Sequence, residues 1–285
     1  MINKRLIEQK FKKIGAKVKF HPFEIKRHFN SAIPLTVDVK TVNGKEEFEI
    51  GYNEKTQFEL AVIDVCPEEK HLLLMLTQPI KDKVGNIKSH SKLKLLCGHD
   101  ERHYFSCGIP ENAGASTVKE AKKALLPPEF IEAHKEKKGK NRNLLKRKNE
   151  TGCRQGEWLF VREEDFEPDD PACIKRNEPI SRGKGSKPHM CEEVYAIAGK
   201  KVYVHPEYAP NGVTEDELPS LKESIREKGA SRMIDFQIRT RDAIVYARGH
   251  VRHPDHKKII LPCWHRVYMN TENRSKASRF SIFLD

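Results

Sequence analysis

The stretch ARGHVRHPDHKKIILPCWHRVYMNTEN, residues 247–273, decides how the second half of the chain folds. Residues 243–253 are rich in β-branched and aromatic types, Pro254-Asp255-His256-Lys257 has turn composition, and residues 258–269 return as a second strand. The stretch therefore reads as a β-hairpin. A two-residue side-chain period puts His250 and Arg252 on one face and Val251 and His253 on the other, and it groups His265, Val267 and Met269 on the returning strand. His256 falls in the turn. Whether His265 opposes His250 or His253 depends on a register that the pattern leaves open.

Three chemistries suit these residues. In the first, a neutral imidazole at His250 or His265 takes a proton from water or a ribose hydroxyl, Arg248 or Arg252 steadies the charge growing on phosphorus, and Asn270 or Asn273 helps hold Mg²⁺. In the second, His250, His253, Cys263 and His265 supply nitrogen and sulfur for tetrahedral Zn²⁺, with His189, Cys191 or His205 completing a site from elsewhere. In the third, the histidines and arginines form a polar strand face while Ile259, Leu261, Val267 and Met269 pack inward. The order Ala247-Arg248-Gly249-His250, followed by β-turn-β and then Asn270 and Asn273, resembles the ββα-metal nucleases, in which a histidine base in Asp-Arg-Gly-His precedes a metal-binding Asn. That resemblance implies His250 as base and Asn270 or Asn273 as metal ligand. It covers under a tenth of the chain, and Ala247 stands where the motif has Asp.

Upstream, Ile2, Leu6, Phe11 and Ile14 before Gly15 predict a short amphipathic helix. Asn43-Gly44 between alternating runs predicts a hairpin of residues 34–40 and 46–52. Residues 60–65 with 71–78, and 92–98 with 103–109, predict two more. The tip His99-Asp100-Glu101-Arg102-His103 reads as a solvated turn that also has the residue types of a metal or acid-base site. Thr117 with Glu120 starts a helix that ends before Pro127-Pro128, and a second helix follows. Residues 135–148 then carry eight Lys or Arg against one Glu and read as a mobile basic arm.

The expected fold class is α+β. An antiparallel β module with helices occupies 1–133, a basic linker 134–152, and an α+β module ending in the histidine hairpin 153–285. Within the second module, 157–162 and 201–205 read as strands, 192–198 as a short helix or strand, and 218–228 as a charged helix.

With 53 Lys and Arg against 41 Asp and Glu, the net charge is +12 and the sequence pI about 9.3. Such an excess favours polyanionic partners, RNA or single-stranded DNA above duplex, because helix-turn-helix and zinc-finger patterns are missing. Lys140, Arg142, Lys146, Arg147, Lys148, Arg182, Lys184 and Lys187 are the candidate phosphate contacts, and Trp158 a candidate base-stacking ring. The glycine-rich loop at 182–187 does not match the P-loop pattern, so no nucleotide cofactor is indicated. Seven cysteines without a CxxC pair, no secretory leader pattern and no apolar run near 20 residues point to a cytoplasmic protein with reduced thiols. The competing reading is a non-catalytic structural protein with an acidic protein partner and a structural zinc.

Overall fold

Asn43 and Gly44 both adopt positive φ, 51° and 72°, and so close the two-residue turn that their sequence requires. The computed structural model describes residues 2–23, 34–82, 84–181, 187–227, 234–241 and 243–280. Helix α1 (Lys4–Lys13) is capped by Asn3, whose side chain accepts from the Leu6 amide, and it buries Ile7 and Phe11. Leu6, expected on the buried side, is exposed. Strand β1 (Val18–Pro22) pairs in parallel with β3 (Lys45–Tyr52), which pairs antiparallel with β2 (Leu35–Val42). The parallel pair corrects the expectation of hairpins throughout this module; β1 has no local turn partner to reveal it.

Strands β4 (Glu59–Cys66), β5 (His71–Lys81), β6 (Ile87–Asp100) and β7 (His103–Ile109) form an antiparallel meander. Its central strand reads Leu72-Leu73-Leu74-Met75-Leu76 because both faces of the sheet are covered. Leu72, Leu74 and Leu76 meet α1 and the three-stranded sheet, while Leu73 packs under α2 (Val118–Ala124). Thr117 caps α2 in a full capping box with Glu120. Helix α3 (Pro128–Glu136) begins on its own proline and sets Phe130 against Leu159 and Val161.

A six-stranded antiparallel sheet organises the second half. Its order is β10 (Lys175–Ile180), β11 (His189–Ile197), β15 (Ile244–Arg252), β16 (Ile259–Met269), β9 (Trp158–Arg162), β8 (Gly152–Gln155). The histidine hairpin lies at its centre. A small sheet, β13 (Ala209–Val213), β12 (Lys200–His205) and β14 (Gln237–Arg241), and helix α4 (Leu218–Glu227) complete the α+β fold.

The segment expected as a mobile arm is folded. His134 is buried and hydrogen-bonds Thr151 at 2.6 Å, Leu144 joins the core under α3, and the Asn149 side chain ties the Leu144 carbonyl to the amide of Thr151. The run's apolar and amide residues make the structure, and its lysines cover it. The chain end packs back as well: Ala277 is fully buried in the N-terminal core, and Ser275 donates to the Ile109 carbonyl at 2.9 Å.

Candidate metal centre

Within β15 the register sorts the histidines. His250 pairs across from Ile260, whereas His265 pairs across from Ala247, with a bulge at positive-φ Gly249 between the two pairs. His250 thus lies well along the ladder from His265. The four-ligand zinc set His250, His253, Cys263 and His265 is not assembled by this register.

His253 instead meets two residues from other places. Counting on from fully buried Val251, the chain's alternation carries His253 to the core side, where it stacks on His189 from the first position of β11 and on His256 from the turn. Ring centroids are 4.1 Å apart for His189 and His253, 4.7 Å for His253 and His256, and 5.4 Å for His189 and His256. One nitrogen from each ring lies within 4.8 Å of the others. The three residues are only 0%, 7% and 6% exposed, which shuts them from bulk water.

Five nitrogens of the trio have no hydrogen-bond partner: both of His189, both of His256, and Nε2 of His253. A buried polar atom left unpaired costs on the order of 1–3 kcal/mol, so five in one place call for an explanation. Burial, with the neighbouring imidazoles adding to it, pushes His189 down to about 3 and His256 to about 4, and burial lowers His253 too. All three are therefore neutral at pH 7, with lone pairs to offer. This is the donor set of a transition-metal site, and it can hold an ion.

The surroundings pack closely on the trio. Gly156, in the β8–β9 turn at φ 56°, lies so close that a Cβ would come 2.6 Å from His256 Nε2 and 3.3 Å from His189 Nε2. Fully buried Gln155 donates to the carbonyls of Val251 and Lys257 at 3.3 and 2.7 Å, spanning the two ends of the histidine turn. From the other side comes the β6–β7 tip. Arg102 donates to the Pro254 carbonyl at 2.9 Å, Glu101 accepts from the Lys257 amide at 2.5 Å, and His103 lies 3.8 Å from the Asp255 carboxylate. Glu101 also ion-pairs with Arg147, and its other oxygen stands 3.7 Å from His256 Nδ1. The tip read as a solvated turn is thus a clamp on the histidine turn.

The other sequence candidates are engaged elsewhere. His250 Nδ1 lies 2.7 Å from Glu192, which also accepts from the His250 amide, on the half-exposed face. Arg248 pairs with Glu193 at 2.7 Å and covers the Trp264 ring, and Arg252 donates to Asn177. His265 is buried and bonds the Cys263 carbonyl. Asn270 caps the short helix Thr271–Arg274, and Asn273 donates to the Met269 sulfur. The base, arginine and Asn groups read from the sequence do not converge on one point.

Among the phosphate candidates, Lys140, Arg142, Lys146 and Lys148 are exposed. Arg147 is spent on Glu101 and Lys187 on Asp255 at 2.6 Å. Trp158 is half-buried against the core, its ring 6.5 Å from that of His189. Arg182 and Lys184 lie outside the described residues.

The sequence places His253 among metal ligands, His189 as a distant contributor and His256 in the turn where it lies, but gives His256, Gln155 and Gly156 no part in a site. The available signal was the pair His253 and His256 flanking Pro-Asp, one at a strand end and one in the turn. Comparison with family models, curated proteins and solved structures finds no match for this chain.

Proposed function

We propose that this is a zinc-bearing nucleic-acid-binding protein in which His189, His253 and His256 hold the ion, and the ion locks the last hairpin against the rest of the fold. The observation that carries the metal is the unpaired, solvent-excluded trio of imidazoles. Nitrogen donors of this kind suit Zn²⁺ and its transition-metal neighbours and do not suit Mg²⁺, which takes oxygen. Coordination through His253 Nε2 puts the ring proton on Nδ1, so the Asp255 amide that now donates there at 3.2 Å must release it. A locking role follows from burial, and from the clamp of Glu101, Arg102 and Gln155 around the turn that supplies two of the three ligands. Nucleic acid as partner is supported by the net charge of +12 and by the exposed Lys140, Arg142, Lys146 and Lys148.

A hydrolytic reading has one observation in its favour. Three protein ligands leave a coordination position open, and a cavity of about 70 Å³, of mixed lining that includes Asp100, Arg154 and Glu157, reaches the trio's neighbour Gly156. That volume admits water.

Elemental analysis of the purified protein, paired with RNA and DNA cleavage with and without EDTA, separates the readings. One bound zinc per chain with no cleavage supports the locking role. EDTA-sensitive cleavage that disappears in His256→Ala establishes the hydrolytic one, and protein that cannot be loaded with zinc overturns both.

A further inference from the structure

The outer face of the six-stranded sheet carries aromatic and basic residues together. Tyr246 pairs with Tyr195 on one neighbour and Arg266 on the other, so the three form a row across the sheet. In the next row Arg248 lies 4.6 Å over the Trp264 ring, and along the face His250 and Arg252 follow. Arg266 covers Tyr268 at 5.1 Å.

Over this face lies the loop Glu163-Glu164-Asp165-Phe166-Glu167-Pro168-Asp169-Asp170, six carboxylates in eight residues of an otherwise basic chain. Its one aromatic ring is laid flat on Tyr246: the Phe166 and Tyr246 centroids are 3.7 Å apart and the planes 3° from parallel. Trp264 meets the same Phe166 edge-on at 6.2 Å, and Tyr195 flanks it at 6.0 Å. The loop is fastened near its ends, by the Glu163 amide on the Trp264 carbonyl and by Asp170 capping Ala172. Between those points Phe166 stacks on Tyr246, and Glu164 pairs with Arg162 at 3.4 Å.

A planar ring stacked on a tyrosine, on a strand of closely spaced anions beside arginines, is what a single-stranded nucleic acid would offer this face. We infer that the Tyr246, Trp264, Arg248 and Arg266 face is a binding platform for single-stranded nucleic acid, and that the acidic loop occupies it through Phe166 as an internal mimic. The inference rests on the nucleic-acid reading above. Binding then requires the loop to leave, and apparent affinity falls by the fraction of molecules in which it is seated. Base on Tyr246 replaces Phe166 on Tyr246, and phosphates replace carboxylates.

The test is fluorescence anisotropy of a labelled oligo(dT) or oligo(U) of about a dozen nucleotides on the full chain. Phe166→Ala is expected to tighten binding about tenfold, and adding Tyr246→Ala to that chain to remove the gain. Glu164→Gln/Asp165→Asn/Glu167→Gln keeps the ring and decides the matter should Phe166→Ala melt early. Its control is Glu215→Gln/Glu223→Gln/Glu227→Gln, the same change of net charge made away from this face. A gain in the loop variant above that control supports the mimic. Equal gains in both, or none in any loop variant of a protein that does bind, overturn the mimic and leave nucleic-acid binding standing. No binding by the parent or any variant overturns both.

Discussion

His250 on β15 and His253 just past its end are three positions apart, yet they live in opposite chemistries. His250 faces outward with its ring satisfied by Glu192, whereas His253 faces inward against His189 and His256 with Nε2 unpaired. Exposure lets water and a carboxylate serve the first. Burial denies both to the second, and what remains on offer is a lone pair. The same residue type is thus a surface ion-pair partner on one face and a buried lone-pair donor, able to hold a metal, on the other, and side-chain parity makes the difference.

The inner cluster answers most strongly to metal. At a free Zn²⁺ concentration a thousand times Kd, binding to the native state alone adds about 4 kcal/mol of stability, read as a rise in Tm that EDTA reverses. His189→Ala or His256→Ala abolishes that rise, whereas a zinc-dependent rise surviving in either variant would sink the trio as ligands.

Acid is the next lever. In metal-free protein His189 and His256 stay neutral down to about 3 and about 4, while in the unfolded chain they protonate near the usual 6.5. Between those limits the unfolded state binds more protons, so the stability that is complete above pH 6.5 falls as pH drops toward 4. Urea midpoints measured from pH 7 to 4 should fall more steeply in the parent than in the His189→Ala/His256→Ala double variant; parallel curves would mean that the rings titrate freely.

Smaller effects come from the frame. Gln155→Ala leaves the Val251 and Lys257 carbonyls without their donor and is expected to cost about 1–3 kcal/mol and to loosen zinc retention in dialysis. Gly156→Ala forces a left-handed backbone on alanine, about 1–2 kcal/mol, and drives its Cβ at His256 Nε2. It should weaken zinc more than its stability loss alone would imply, and unchanged zinc affinity would show that this turn does not border the metal. His250→Ala, on the outer face, should leave Tm and bound zinc where they were. Loss of zinc there would erase the contrast between the faces.

Much of the architecture is written locally. Asn43-Gly44 names its turn, Thr117 with Glu120 names its helix start, and the alternation of residues 244–269 names a hairpin, because each depends on contacts a few residues apart. Alternation also put His253 opposite His250. The parallel strand β1 and the folding of residues 134–152 escaped, since both depend on partners far along the chain.

By itself, then, the sequence determined the hairpins, the helices and which face of β15 each histidine takes; backbone sterics and side-chain period act at short range. The tertiary structure alone decided that His189, 64 residues before His253, reaches the same point. It also turned the Asp100–His103 tip from a solvated turn into a clamp and laid Phe166 on Tyr246. Those outcomes depend on strand order and on an irregularity between β15 and β16 that shifts their register by two residues, and neither leaves a local mark in the chain.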